Sequence, residues 1–327
     1  MGRYLLRRLA GHLVLVIVAA SLTYVLAGLS LNPRARFENR NPPLPEAAVT
    51  RTLDDVNMNP DTPVVTRFTR WAGDLVGHGD LGRTVSGDSL NDDFGRRVGV
   101  STRLLLLATF AGSVLGVAVG AYGAIRQYRI SDRFSTLASF FVLAMPVFVI
   151  GVALKIGATA LNDGTQTLKV LGEYDAQYAG RWDPAALLNR AQHMLLPALT
   201  LIIVQVALYS RYQRNTMLDV LGADFLRTAR AKGLRRRTAL LRHGLRTAVL
   251  PVVPLLVYNI VLLFAGATFV EKTFGWHGMG ELLVDAVAGQ DVNAVAAVGV
   301  FTAVLVLAAG LLSDLLYAAL DPRVRVR

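Results

Sequence analysis

The stretch Asp224–Pro251, DFLRTARAKGLRRRTALLRHGLRTAVLP, lies between two long apolar runs and carries a dense set of Arg and Lys against a single acid. Just before and within it, Met217, Leu218, Leu221, Phe225 and Ala229 recur at three- and four-residue steps. That spacing predicts one apolar face on a helix of about four turns. Gly233, after Ala231 and Lys232, stands where a helix ends on a left-handed residue. A second basic stretch, Leu234 to Arg246, then leads into the next apolar run. Attraction to anionic lipid would account for the charge. It would not account for an apolar face and a glycine stop, which point to a surface that meets a partner.

The flanking sequence fixes the setting. The chain has 327 residues, of which 53% are hydrophobic and 17% charged, too apolar for a soluble globule. A bilayer core of ~30 Å needs about twenty helical residues. Suitable runs lie near Leu9–Leu29, Leu104–Ile125, Phe134–Leu161, Met194–Tyr212, Ala248–Val270 and Val292–Leu320. The expected fold is an all-α integral membrane protein with six transmembrane helices. Arg3, Arg7 and Arg8 before the first run also suit a signal peptide, but the run is long and no small-residue cleavage site closes it, so an uncleaved anchor is expected. The expected divisions are a tail and first helix (1–30), an external segment between helices 1 and 2 (31–100), a five-helix core (101–320) with a cytoplasmic loop at 211–247, and a tail (321–327).

Orientation follows from the cations. With the N-terminus inside, pieces 1–8, 126–133, 211–247 and 321–327 hold 19 Lys or Arg and four acids, against 13 and 18 in the external pieces 31–100, 161–192 and 271–291. Both termini are therefore expected in the cytoplasm. Most of the net charge of +11 is topological in origin, and nucleic acid is not an expected partner.

Within the external segment, Val64, Val65, Phe68, Trp71, Ala72, Leu75 and Val76 predict an amphipathic helix closed by a turn at His78–Gly82. Pro146 predicts a kink in the third span, whereas Pro197, Pro251 and Pro254 fall near helix starts. Lys155 and Asp314 are the charges nearest the apolar interior, and with Pro146 they are candidates for the path or gate. Each also fits an anchor at a span end.

The chain has no cysteine, no G-x-x-x-x-G-K-[ST] loop, no H-E-x-x-H and no G-x-S-x-G. The five His (His12, His78, His193, His243, His277) lack metal-ligand spacing. Neither a catalytic residue, a metal site nor a cofactor of its own is expected.

DFLRTARAKGL resembles the cytoplasmic loop of ABC-transporter permeases of the oligopeptide/dipeptide importer family. Arg227, Thr228 and Ala229 occupy the first three places of the generic E-A-A-x-x-x-G pattern and Gly233 its glycine, with the initial Glu absent. Further similarity lies in GRYLLRRL (Gly2–Leu9), GDLG (Gly79–Gly82), LAMPVF (Leu143–Phe148), HMLLPALTL (His193–Leu201), VEKTFGWHGMGELLVDA (Val270–Ala286) and DLLYAALDPRVR (Asp314–Arg325). His277 stands where the family usually has Pro.

The resemblance, closest to the B-type subunit, implies a type I ABC importer permease fold in a bacterial inner membrane. The implied partners are a second permease, two ATPase subunits that bind ATP and Mg, an external substrate-binding protein, a peptide substrate and membrane lipids. Coupling to the ATPase would fall on Met217, Leu221, Asp224, Phe225, Arg227, Thr228, Ala229, Arg230, Ala231, Lys232, Gly233 and Leu234. Glu271, Phe274, Gly278 and Gly280 would face the receptor. Nickel chelates, glutathione or another small solute remain alternative cargoes, and a non-transporting membrane scaffold is the remote alternative.

Overall fold

The computed structural model describes residues 2–38, 42–162 and 167–320, without the side chains of 2–9, 257–258, 261 and 313–320. The described elements are helices, in order α1 (Gly2–Ser30), α2 (Ala35–Glu38), α3 (Glu46–Asp55), α4 (Val64–His78), α5 (Leu90–Ile125), α6 (Ile130–Ala144), α7 (Val147–Asn162), α8 (Pro184–Leu221), α9 (Asp224–Ala231), α10 (Arg236–Ala239), α11 (Leu245–Val249), α12 (Val252–Phe274), α13 (Met279–Ala288) and α14 (Val292–Leu320). Among the described residues α1, α5, α8 and α14 are long and apolar enough to cross a membrane, and α6 with α7 makes a fifth span if the two count as one. The remaining expected span falls on α12, some of whose side chains are outside the described residues. The tail at 321–327 also lies outside them.

The chain divides into two compact units, residues 1–102 with 277–308, and residues 103–276 with 309–327. In the first, the segment between α1 and α5 folds onto α1 and α14 around Tyr24, Leu53, Met58, Trp71 and Val292. The rings of Tyr24 and Trp71 stack at 4.9 Å, and the Trp71 indole donates to the Leu81 carbonyl at 3.1 Å. The amphipathic helix is there as α4, but Val65 and Val76 point outward while Arg67 is buried. Arg67 donates to the carbonyls of Thr62 and Gly28, the latter near the end of α1 where helical carbonyls lack partners. Gly79, at φ +67°, closes α4 in the expected turn.

The α13–α14 junction holds this segment through side chains that bond backbone. Asp291 accepts from Val85 N–H and Ala294 N–H, and Asn293 donates to the carbonyls of Val56 and Arg83. Burial pushes the Asp291 carboxyl above its ordinary range, against the pull of these N–H groups.

In the second unit α5 and α8 meet almost backbone to backbone. A Cβ added at Gly112, Gly116 or Gly120 would come within 2.4 Å of Gln205 Cβ, 2.6 Å of Tyr209 Cβ or 2.3 Å of the Ser210 carbonyl oxygen. Three glycines at four-residue spacing make one flat stripe on α5, the arrangement that lets membrane helices approach closely. The third apolar run is broken rather than kinked, because α6 and α7 diverge by 106° on either side of Met145–Pro146. Pro197 also departs from expectation. Helix α8 begins at Pro184, so Pro197 lies inside it instead of near its start.

Gly120→Ala is expected to force α5 from α8 and cost about 1–3 kcal/mol through overpacking. Gly157→Ala, where an added Cβ meets nothing within 4 Å, is expected to leave stability unchanged or slightly raised. Thermal unfolding of the two variants in detergent checks the contrast.

Candidate functional site

The basic stretch forms a small folded platform instead of one long helix. Helix α8 ends at Leu221, Gly222 and Ala223 break it, and α9 restarts at Asp224. The break resets the helical phase, so the face read through Met217, Leu221 and Phe225 does not continue. Met217 is buried in α8 and Leu221 packs beside it, but Phe225 is 42% exposed. The residue that anchors α9 is Leu226, 4% exposed, which sequence spacing did not single out.

Leu226 joins one core with Met217, Ala239, Leu240, Ala248 and, from the end of α5, Ala124; Ala229 and Leu234 pack at its edge. The outer surface of α9 presents Asp224, Phe225, Arg227, Thr228, Arg230, Ala231 and Lys232. The glycine stop is present: Gly233 has φ +90°, and its N–H and that of Leu234 bond the carbonyls of Arg230 and Ala229. Between α10 and α11 the chain makes a π-turn at Leu240–Gly244, with Leu240 and Gly244 buried. Thr216 donates to the Ala248 carbonyl at 3.0 Å, fastening α11 to α8.

A second fastening was not legible in the spacing. Arg214 of α8 grips Asp132 of α6 with two bonds of 2.6 and 2.9 Å, and Tyr128 N–H adds a third at 2.9 Å. Such a fork-to-carboxylate pair sets direction as well as distance. The α5–α6 connection is thereby held to the same stretch of α8 that leads into α9.

The candidate path residues separate. Pro146 stands at the α6–α7 break. Lys155 donates to the Thr273 carbonyl at 2.7 Å, at the C-terminal end of α12 where a cation is favoured. The Asp314 side chain lies outside the described residues. The four residues expected to face a receptor are all buried within the chain. Glu271 and Phe274 are 0% and 1% exposed; Phe274 packs towards Gly151 of α7. Gly278 caps α13 and Gly280 lies in its first turn, where Met279 N–H bonds Ser101 Oγ at 2.8 Å. The exposed residues here are Lys272 and His277. His277 Nδ1 lies 2.6 Å from Glu281 Oε2, so a side-chain pair braces the turn in which the sequence lacks the usual Pro.

The segment before α8 carries another network. His193 is buried, with its ring nitrogens 3.0 Å from the Gly172 carbonyl and 3.2 Å from Asp175 Oδ1. The Lys169 ammonium holds the Asp175 carboxyl below the usual carboxylate range, helped by Asn189 and His193 and opposed by partial burial. Among the described residues no group of His, Cys, Asp or Glu is gathered to hold a metal ion.

Comparison with known proteins gives the chain a family. Residues 112–326 match the family described as "Binding-protein-dependent transport system inner membrane component". The chain belongs to this family. Relatives match over the whole length. The oligopeptide transport system permease protein OppB of Mycobacterium tuberculosis is 50% identical, with all of both chains covered. AppB of Bacillus subtilis, also an oligopeptide transport system permease protein, is 29% identical over 99% of each chain. The glutathione transport system permease protein GsiC of Escherichia coli is 30% identical over all of both. The chain is thus a multi-pass permease component of a binding-protein-dependent transport system, and the α8–α11 platform lies within the matched region.

Two outcomes follow. Leu226→Ala is expected to cost about 2–5 kcal/mol locally and raise hydrogen exchange in α9, whereas Phe225→Ala leaves exchange unchanged. Asp175→Asn is expected to cost about 1 kcal/mol or less, because the carboxylate is partly exposed. A carboxyl whose folded pKa is depressed stabilises above its unfolded value of ~3.9, and the contribution is lost as pH falls through the folded value. The gap between wild type and Asp175→Asn in a pH series of thermal unfolding should therefore be full at neutral pH and close only below about pH 4.

Proposed function

We propose that this chain is one of two membrane subunits of an ATP-driven peptide importer, with six spans and both termini in the cytoplasm. A second permease completes the path, an external binding protein delivers the peptide, and two ATPase subunits dock beneath. The observation that carries the reading is the common core of α5, α8, α9, α10 and α11. It lets a force on the exposed face of α9 reach two membrane helices at once. Leu226 seats α9 in that core, and the Arg214–Asp132 fork joins α6 to the same body. ATPase closure would then move these helix ends together as a rigid-body shift. Asp224, Phe225, Arg227, Thr228, Arg230 and Lys232 form the docking face. The charged members set register, while contact shape gives most of the coupling.

Peptide as cargo is supported by the names of the relatives at 50% and 29% identity. The relative named for glutathione, matched over its full length at 30%, supports a small thiol peptide as the second reading.

Gly233→Leu places a side chain at φ +90°, and Ala229→Trp wedges α9 off its seat. In proteoliposomes containing the partner subunits and the binding protein, each is expected to cut peptide uptake and transport-coupled ATP hydrolysis by roughly tenfold or more, with membrane insertion intact. Wild-type coupled hydrolysis in either variant would remove α9 from the coupling role.

A further inference from the structure

Beside the coupling platform the structure has a cleft of about 410 Å³ between the α5–α6 connection and α9–α10. Five guanidinium groups rim it: Arg126, Arg129, Arg227, Arg230 and Arg236. No Asp or Glu is among the described residues that line it. Arg227 approaches Asp224 at 3.5 Å, with both side chains largely exposed, and Arg126 lies 4.8 Å over the Tyr122 ring. The floor is apolar and includes Leu226 and Leu240. Gathering cations around one hollow is unfavourable unless an anion sits among them, and planar guanidinium forks match phosphate oxygens in pairs.

The surroundings indicate which anion. Arg126 follows the last residue of α5, and Arg129 precedes the first residue of α6. Between and after them Tyr128, Ile130 and Phe134 are 72%, 88% and 73% exposed. An aromatic and two large apolar side chains left uncovered at the end of a span suit the boundary between headgroups and acyl chains. The arginine rim then lies at the level of lipid phosphates, with apolar side chains for the glycerol and upper acyl region below. Ile130 and Phe134 flank the cleft without lining it, so they set the level of its rim at the bilayer boundary, where a lipid headgroup is the nearest anion.

We propose that this cleft binds the phosphate headgroup of an anionic phospholipid of the cytoplasmic leaflet. The site uses the orientation proposed above but not the identity of the cargo. The lipid links the α5–α6 connection to α9, so that occupancy steadies the coupling helix. Arg126, Arg129 and Arg236 supply the part of the rim that lies outside the proposed ATPase-docking residues. Basic pockets at the cytoplasmic side of membrane helices are a recurrent place for such headgroups.

The test uses the delipidated transporter complex, titrated in detergent with phosphatidylglycerol or phosphatidylcholine and followed by native mass spectrometry. Saturable binding of phosphatidylglycerol over phosphatidylcholine is expected. Arg126→Gln/Arg129→Gln/Arg236→Gln should weaken it by roughly tenfold or more. Arg235→Gln/Arg237→Gln/Arg242→Gln, which removes equal charge outside the cleft, should stay within about twofold. The corresponding Arg→Lys triple should bind more tightly than the Gln triple but below wild type, since it keeps the charge and loses the paired forks, which separates lost charge from misfolding. Equal weakening by both Gln triples, or equal binding of the two lipids, overturns the proposal. Displacement of phosphatidylglycerol by sub-millimolar inorganic phosphate would assign the cleft to a free anion instead. Loss of the ATPase subunits from the cleft variant, with lipid binding intact, would assign it to a protein surface. Uptake and ATP hydrolysis in the same preparations report on the transport reading separately.

Discussion

The close approach of α5 and α8 is the constraint on which the rest of the second unit depends. Gly112, Gly116 and Gly120 leave no room for a Cβ against Gln205, Tyr209 and Ser210. That contact brings the end of α5, with Ala124, alongside Met217 of α8. Ala124 and Met217 then form two walls of the core in which Leu226 sits. Without the seam, α9 would rest on one membrane helix and a push on it would be taken up by hinge motion at Gly222. With it, the amphipathic platform at the membrane surface becomes an extension of two spans.

The positive charge of this region has two origins. Much of it is what the expected cytoplasmic placement of the loop would account for, and an isolated arginine there needs no other explanation. The five arginines around one apolar-floored hollow are a further arrangement, since topology sets how many cations a loop carries and not that they converge. In the proposed reading the exposed face of α9 takes a protein contact and the cleft beside it a lipid contact, with Arg227 and Arg230 shared by the two.

Periodicity and turn chemistry were enough to locate the long helices and α4, but not α2, α3 or α13. Each long apolar run is helical, α4 lies where its face was read, and Gly233 has the left-handed backbone its position implied. What spacing could not convey was phase across a break and partnership across the chain. The Gly222–Ala223 interruption exchanges Phe225 for Leu226 as the buried residue, and one short extended residue carries little signal in sequence. The Asp132–Arg214 fork joins positions 82 residues apart and had appeared only as two charges in a loop count. Glu271 and Phe274 were placed beyond the end of an apolar run, but α12 continues through them and buries both side chains. Arg67, which no spacing argument had singled out, is buried because the end of α1 offers it a carbonyl.

The account rests on α9 moving as one body with the ends of α5 and α8. The chain has no cysteine, so paired spin labels can be placed without background changes. Labels at Thr228→Cys and Gln127→Cys in the reconstituted transporter report the distance between α9 and the end of α5, by pulsed electron resonance, without nucleotide and with a non-hydrolysable ATP analogue. The account predicts one narrow distance distribution, unchanged between the two states. A distance that shifts or broadens when the ATPases close would show α9 moving independently of the spans and would contradict it.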